Sequence, residues 1–237
     1  MALVVVLAAV AACADGPPAT TPVPPAPGTY MGRTIATTMH YTGAPWLVRG
    51  SREREEGTTL LLEKLAIEPG TTLCDLGCGN GYYTIPMARL TGPTGRVYAV
   101  DIQGEMLEML EAAATAAGVG NIEPTLGTVV DPKLPEGVID LVILVDVYHE
   151  MSHPAQMLAA IRESLAEGGR LVLVEFRGED PKVPIKPLHK MTKVQIRKEL
   201  EANGFKLTAD FDGLPMQHMM TFTIDGATKG PGPAPPP

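Results

Sequence analysis

TTLCDLGCGNGYY, residues 71–83, decides how the rest of the chain is read. TTLCDL is short and mostly apolar, the pattern of a strand buried on both faces. Glycine then recurs at alternate positions, Gly77, Gly79 and Gly81. Such spacing lets the backbone turn tightly and approach a ligand without Cβ clashes. A helix starting after the turn offers free N–H groups to a carboxylate or phosphate. Alone this is a weak signal, since glycine-rich turns also occur as plain loops. Two acids sharpen it. Asp75 sits in the strand end, placed to accept hydrogen bonds from loop amides or a ligand ammonium. Asp101 ends the next strand, 22 residues after Gly79, where a carboxylate can take both hydroxyls of a ribose.

Working outward, RVYAVD (96–101), VIDLVILVDV (138–147) and RLVLVEF (170–176) repeat the buried-strand pattern. Helical spacing separates them. Met106, Met109, Leu110 and Ala113 predict an amphipathic helix over 104–117, ending at Gly118. Pro154 opens another, with Met157, Leu158, Ile161 and Leu165 inward and Gly168-Gly169 closing it. A third spans 192–203, capped by Gly204, and two last strands fall near 205–211 and 217–224. Strand–helix alternation of this kind implies a doubly wound α/β domain with right-handed crossovers. Ahead of the first strand, Leu60, Leu61, Lys64 and Leu65 suggest a helix packed on the sheet. The charged run Arg49–Glu56 reads first as a solvated face.

The 237 residues suffice for one sizeable core. Apolar residues are 45% and charged residues 19%, an ordinary globular balance, while aromatics at 5% leave the core to aliphatic packing. A net charge of −8 argues against nucleic acid held through its phosphates. No apolar run reaches the roughly 18–20 residues of a membrane-spanning helix. Cys13, Cys74 and Cys78 are too few for a disulfide scaffold. Cys74 and Cys78 are expected to be reduced and packed.

The ends differ from the middle. Residues 1–13 combine an unbroken apolar segment, 2–12, with Val10-Ala11-Ala12-Cys13. They resemble a bacterial lipoprotein signal whose cysteine carries the lipid, although no Lys or Arg precedes the apolar run. The alternative is an apolar leader on a cytoplasmic enzyme. Residues 14–30 read as a Pro-rich linker, 31–225 as the folded domain with 31–70 as an N-terminal cap segment, and 226–237 as a Pro/Gly tail.

The spacing G-x-G-x-G puts Tyr82 where a dinucleotide fingerprint wants its third glycine, which argues against NAD. DLGCGNG, then YAVD, then DVYHE at a strand end, then LAEGGRLVLVEF together resemble class I S-adenosylmethionine-dependent methyltransferases, over roughly residues 45–225. The resemblance implies a seven-stranded, mostly parallel sheet with an antiparallel last strand. It implies that Asp75, Gly77, Gly79 and Gly81 line the methionine part of S-adenosylmethionine. Asp101 would hold the ribose, with Ile102 beside the adenine. Many relatives carry Gly-Asp after the third strand where this chain has Gly127-Thr128, so Thr128 takes the adenine position. Asp146 would lie near the methionine group or the nucleophile.

His149-Glu150-Met151-Ser152-His153 matches H-E-x-x-H, the zinc-protease pattern, with Glu175 a third ligand on paper. That chemistry needs a helix, whereas Val138–Val147 reads as strand and Pro154 suits the first turn of the next helix. Residues 148–153 are then a strand-to-helix loop beside the methyl donor. Tyr148, His149 and Glu150 are the candidate catalytic residues. For His149 two readings stand, a general base for the acceptor or a loop histidine bonded to backbone. The loop after strand five, with prolines at 181, 184 and 187, carries Lys186, His189 and Lys190, either for an anionic substrate or as solvated surface. The expectation is methyl transfer to an O, N or S of a small-molecule acceptor, with no metal and no nucleic-acid partner. Membrane contact would come only through a lipid on Cys13. The competing reading is an exported lipoprotein using the fold as a non-catalytic ligand-binding module.

Overall fold

The computed structural model describes residues 23–226. The signal-like segment with Cys13, residues 14–22 of the linker and tail residues 227–237 lie outside the described residues.

Seven strands form one sheet: β1 (Thr72–Leu76), β2 (Arg96–Asp101), β3 (Ile122–Leu126), β4 (Ile139–Val145), β5 (Leu165–Phe176), β6 (Phe205–Phe211) and β7 (Gln217–Ile224). Five longer helices accompany them: α1 (Thr58–Leu65), α2 (Thr84–Thr91), α3 (Gly104–Ala117), α4 (Pro154–Ser164) and α5 (Lys193–Ala202). The sheet order is β3-β2-β1-β4-β5-β7-β6. β7 pairs antiparallel with both neighbours, and all other pairings are parallel. The doubly wound fold with an antiparallel last strand is therefore the observed one. The order reverses between β1 and β4, the place where such sheets open a crevice at their carboxyl edge.

Alternation within the strands divides the core in two. Cys74, Val142, Leu144, Leu171 and Leu173 pack with Leu158 and Ile161 of α4 and Ile196 and Leu200 of α5. Leu73, Leu141, Ile143, Val172 and Val174 pack on the other face with Leu61 and Leu65 of α1 and Met87 of α2. Burial on both faces accounts for the near-continuous apolar strands. Cys74 and Cys78 are buried free thiols.

Three local expectations shift. The buried face of α3 is Met106, Leu107, Leu110 and Ala114, while Met109 is exposed. α4 stops at Ser164, and residues 165–169 already belong to β5. There Gly169 lies so close to β4 that a Cβ would stand 2.7 Å from the Ile139 carbonyl oxygen, so Gly169 serves strand packing, while Gly168 takes a left-handed φ of 77°. The third correction is the charged run. Arg52 and Glu56 are buried, joined to each other at 2.8 Å and to Arg49 at 2.6 Å through Glu56.

Residues 29–57 cross the carboxyl edge of the sheet. A two-residue ladder joins Thr29–Tyr30 to Arg33–Thr34, and short helical turns cover Ala44–Leu47 and Arg52–Glu56. Arg33 donates to the Tyr148 and His149 carbonyls and to Glu199, and the Ala36 N–H donates to the His149 carbonyl. Among the described residues no helix is long and apolar enough to cross a membrane.

Candidate active site

A cavity of ≈ 560 Å³ opens at the reversal point, in the range of small-molecule sites. Its floor is the carboxyl ends of β1, β2 and β4, and its roof is residues 38–56 together with the loop 184–189.

At one end the β1 turn meets Asp101. The Gly79 N–H donates to Asp101 Oδ2 and the Gln103 N–H to Oδ1, both at 3.0 Å. Each oxygen keeps a lone pair for a further donor. Burial raises the Asp101 pKa, opposed by these hydrogen bonds and reinforced by Glu150. A Cβ on Gly79 would lie 2.7 Å from Leu47 Cδ1, so glycine is what lets residues 44–47 close over the loop. Ile102 sits at the wall, 40% exposed. Gln103 ties the roof down, accepting from the Tyr41 N–H at 2.8 Å and donating to the Met39 carbonyl at 2.9 Å.

At the end of β4, Asp146 adopts φ 55°, a left-handed conformation that Asp tolerates better than most residues. Its Oδ2 accepts from Gln217 at 2.7 Å, whereas Oδ1 is buried and has no partner among the described residues. Burial, then Glu56 and Glu175, holds this carboxyl well above its usual pKa.

The other end is built around His149. Glu175, fully buried on β5, accepts from His149 Nδ1 at 2.7 Å and from its backbone N–H at 3.3 Å. The ring nitrogen on the far side, Nε2, is 3.1 Å from His189 Nδ1 and 3.7 Å from Glu150 Oε1. Burial opposes charge on His149, but Glu175 and Glu150 outweigh it and raise its pKa to about 10. The two carboxylates thus favour the charged form of the ring. His189 moves the other way, lowered by burial and by the charge on His149.

The family model for a methyltransferase domain matches residues 67–220. The chain belongs to that family. Among curated relatives, the nocamycin O-methyltransferase of Saccharothrix syringae is 38% identical over 82 residues, 35% of this chain and 29% of that protein. The ubiquinone/menaquinone biosynthesis C-methyltransferase UbiE of Ralstonia pickettii is 31% identical over 150 residues, 63% of this chain and 59% of that one. The chain thus spans less than two thirds of the length of either. A SAM-dependent methyltransferase from Aquifex aeolicus superposes with TM-score 0.74 and 20% identity, covering 79% of this chain and all of that one, which shows a shared fold.

S-adenosylmethionine is the cofactor this methyltransferase fold implies, and the residues suit it. The free lone pairs of Asp101, the exposed Ile102 side chain and Asp146 all border one cavity. Gly77, Gly79, Thr128, His149 and Glu150 line it as well. The Thr128 hydroxyl also accepts from the Val130 and Asp131 N–H groups and so braces the turn after β3.

Other expected site residues lie elsewhere. Asp75 is buried behind the turn and accepts from the Thr84 hydroxyl at 2.6 Å. Gly81 is a packing glycine, since a Cβ there would meet Leu110 Cδ1 at 2.2 Å. Tyr148 is corrected outright. Its ring is fully buried in the α4–α5 core and its hydroxyl donates to Glu199 at 2.8 Å, so it does not face the cavity. Lys190 is spent on the Asp180 and Val183 carbonyls, whereas Lys186 does line the cavity. The H-E-x-x-H segment is a 3-10 turn followed by loop, and His153 Nε2 lies 2.7 Å from the Pro24 carbonyl oxygen, so the two histidines do not form a helical pair.

Residues not expected at the site from the sequence complete the wall. Arg49, Arg52, Glu56, Met39 and Gln103 all line the cavity. Arg52 stacks over Tyr82 at 4.1 Å and Arg49 over Trp46 at 3.9 Å, locking the roof to the glycine turn. The i,i+4 spacing of Arg52 and Glu56 was the available signal. For the His149–His189 approach, 40 residues apart, no local signal exists.

Proposed function

We propose that this chain transfers the methyl group of S-adenosylmethionine to a small acceptor held at the His149 end of the cavity. The observation that carries the reading is the single cavity joining the Gly77–Gly79 turn and Asp101 to His149, Glu150 and His189. When bound, the cofactor supplies an electrophilic methyl on a sulfonium. The chain's part is to hold, orient and keep out water. Asp101 would accept the ribose hydroxyls, Ile102 and Thr128 would flank the adenine, and Gly77 and Gly79 would leave room for the methionine part. Asp146 would lie near the cationic centre.

The acceptor end favours an oxygen nucleophile. Positive charge beside the cavity, from Lys186 and from the charged form of His149 that Glu175 and Glu150 favour, suits an anionic oxygen. Met39, Met151, Met157, Phe176 and Ile185 give that end an apolar lining, suited to a largely apolar acceptor with one acidic hydroxyl. Relatives bearing O- and C-methyltransferase names fit an acidic hydroxyl or its enolate. The test is release of S-adenosylhomocysteine by the full chain against pooled phenols, enols and carboxylic acids. Turnover with an acidic-hydroxyl acceptor is expected. Turnover confined to amines or thiols would refute the acceptor assignment.

A further inference from the structure

The proposed methyl transfer does not by itself explain why three side-chain atoms able to ligate a metal converge at one corner of the cavity, where an ion would displace the proton that His149 Nε2 carries in the metal-free chain. His149 Nε2, His189 Nδ1 and Glu150 Oε1 form a triangle with edges of 3.1, 3.4 and 3.7 Å. A tetrahedral ion with bonds of about 2.0–2.1 Å to nitrogen and oxygen spaces its ligands about 3.3 Å apart. The point equidistant from these three atoms lies about 2 Å from each. The triangle is thus the right size before any side chain moves.

What stands behind the triangle also fits. A ligating histidine characteristically donates its other ring N–H to a carboxylate, which fixes the tautomer and the ring plane. Glu175 does this to His149 Nδ1 at 2.7 Å and clamps the same residue by its backbone N–H. Glu175 is fully buried and His149 3% exposed, whereas Glu150 and His189 face the cavity. Glu150 is steadied in turn by the Met39 N–H on its other oxygen, Oε2, at 3.1 Å. Oε1 is left for the shared centre. Two imidazoles and one carboxylate on one side, with the cavity on the other, is a three-ligand set with an open position.

We propose that His149, Glu150 and His189 bind one divalent transition-metal ion, zinc being the redox-silent choice, with Glu175 as the positioning residue. This rests on the methyltransferase reading only for its purpose. The open position faces the cavity in which the acceptor would lie, so the ion would select acceptors that present an acidic hydroxyl. Such a hydroxyl would release its proton to water on binding. Its oxygen lone pair would then form the bond to the methyl carbon, while the carbon–sulfur pair stays on sulfur to give the neutral thioether. This assignment departs from the expectation of metal-free transfer.

The experiment is metal analysis and equilibrium dialysis of the tag-free full chain with zinc(II) alone, with cobalt(II) as a spectroscopic stand-in. About one equivalent of zinc per chain is expected, with cobalt visible bands typical of low-coordinate nitrogen and oxygen ligation. Glu175→Gln is expected to weaken zinc binding about 10–100-fold and to alter the cobalt spectrum. His189→Ala, on a half-exposed loop residue, and Glu150→Gln should weaken binding by more than that while circular dichroism and melting show an intact fold. No zinc or cobalt bound by folded full chain, or binding unchanged in both His189→Ala and Glu150→Gln, overturns the proposal. S-adenosylmethionine titrated into metal-free protein separates the two readings. Cofactor binding without metal binding removes the metal site alone, and metal binding without cofactor binding removes the methyltransferase reading alone.

Discussion

Asp75 shows how one residue can serve the site without touching it. Burial raises its pKa to about 6, opposed by the Thr84 hydroxyl and the charge of Arg52. In the unfolded chain an aspartate loses its proton near 4. Between those values the folded state holds more protons, so stability falls as pH rises through the window and stays lower above it. The loss is about 3 kcal/mol. Asp75→Asn should abolish that part of the slope in urea melts taken from about pH 4 to 7, while its carbonyl still accepts from Thr84. An unchanged slope in the variant would show that Asp75 is not the titrating group. In the sequence Asp75 and Asp101 looked alike, acids at successive strand ends. The structure separates them by depth, since Asp101 borders the cavity and Asp75 lies behind the turn.

Among the elements, those defined by local pattern were legible. α3 and β2 occupy the residues the spacing predicts, because helix caps and strand ends are written in adjacent residues. Burial of charge was not legible, because it depends on partners far along the chain. Arg49–Glu56 resembles a surface run until Tyr82 and Tyr83 from the glycine turn are seen covering Arg52. Tyr148 resembles a site residue until Glu199, 51 residues later on α5, takes its hydroxyl. Glu199 also pairs with Arg33 at 2.7 Å and is itself fully buried. It therefore joins α5, the β4–α4 loop and the strap of residues 29–57. Removing one partner of a buried pair strands the other, at a cost of about 3–5 kcal/mol. Glu199→Ala is expected to lose that much in denaturant unfolding. A loss below about 1 kcal/mol would mean Arg33 finds water on the strap's outer side.

For the whole molecule, function follows from where three segments meet. The parallel sheet brings Gly77, Asp101 and Asp146 to one edge, and the strap and the loop 177–192 close over it. That loop is ordered despite its prolines, through a bridge between Arg177 and Met191 and the two carbonyls held by Lys190. It thereby delivers His189 to His149. Strap and loop are the parts whose placement no periodicity could give, and they make the cavity's acceptor end. On this reading the cavity holds S-adenosylmethionine through Asp101. The most direct test is calorimetric titration of the full chain and of Asp101→Ala with S-adenosylmethionine and S-adenosylhomocysteine. Micromolar binding by the native chain is predicted, weakened by about 1.5–3 kcal/mol in the variant, as for hydrogen bonds to a charged group. No heat from folded native protein, or equal affinity in the variant, would contradict it.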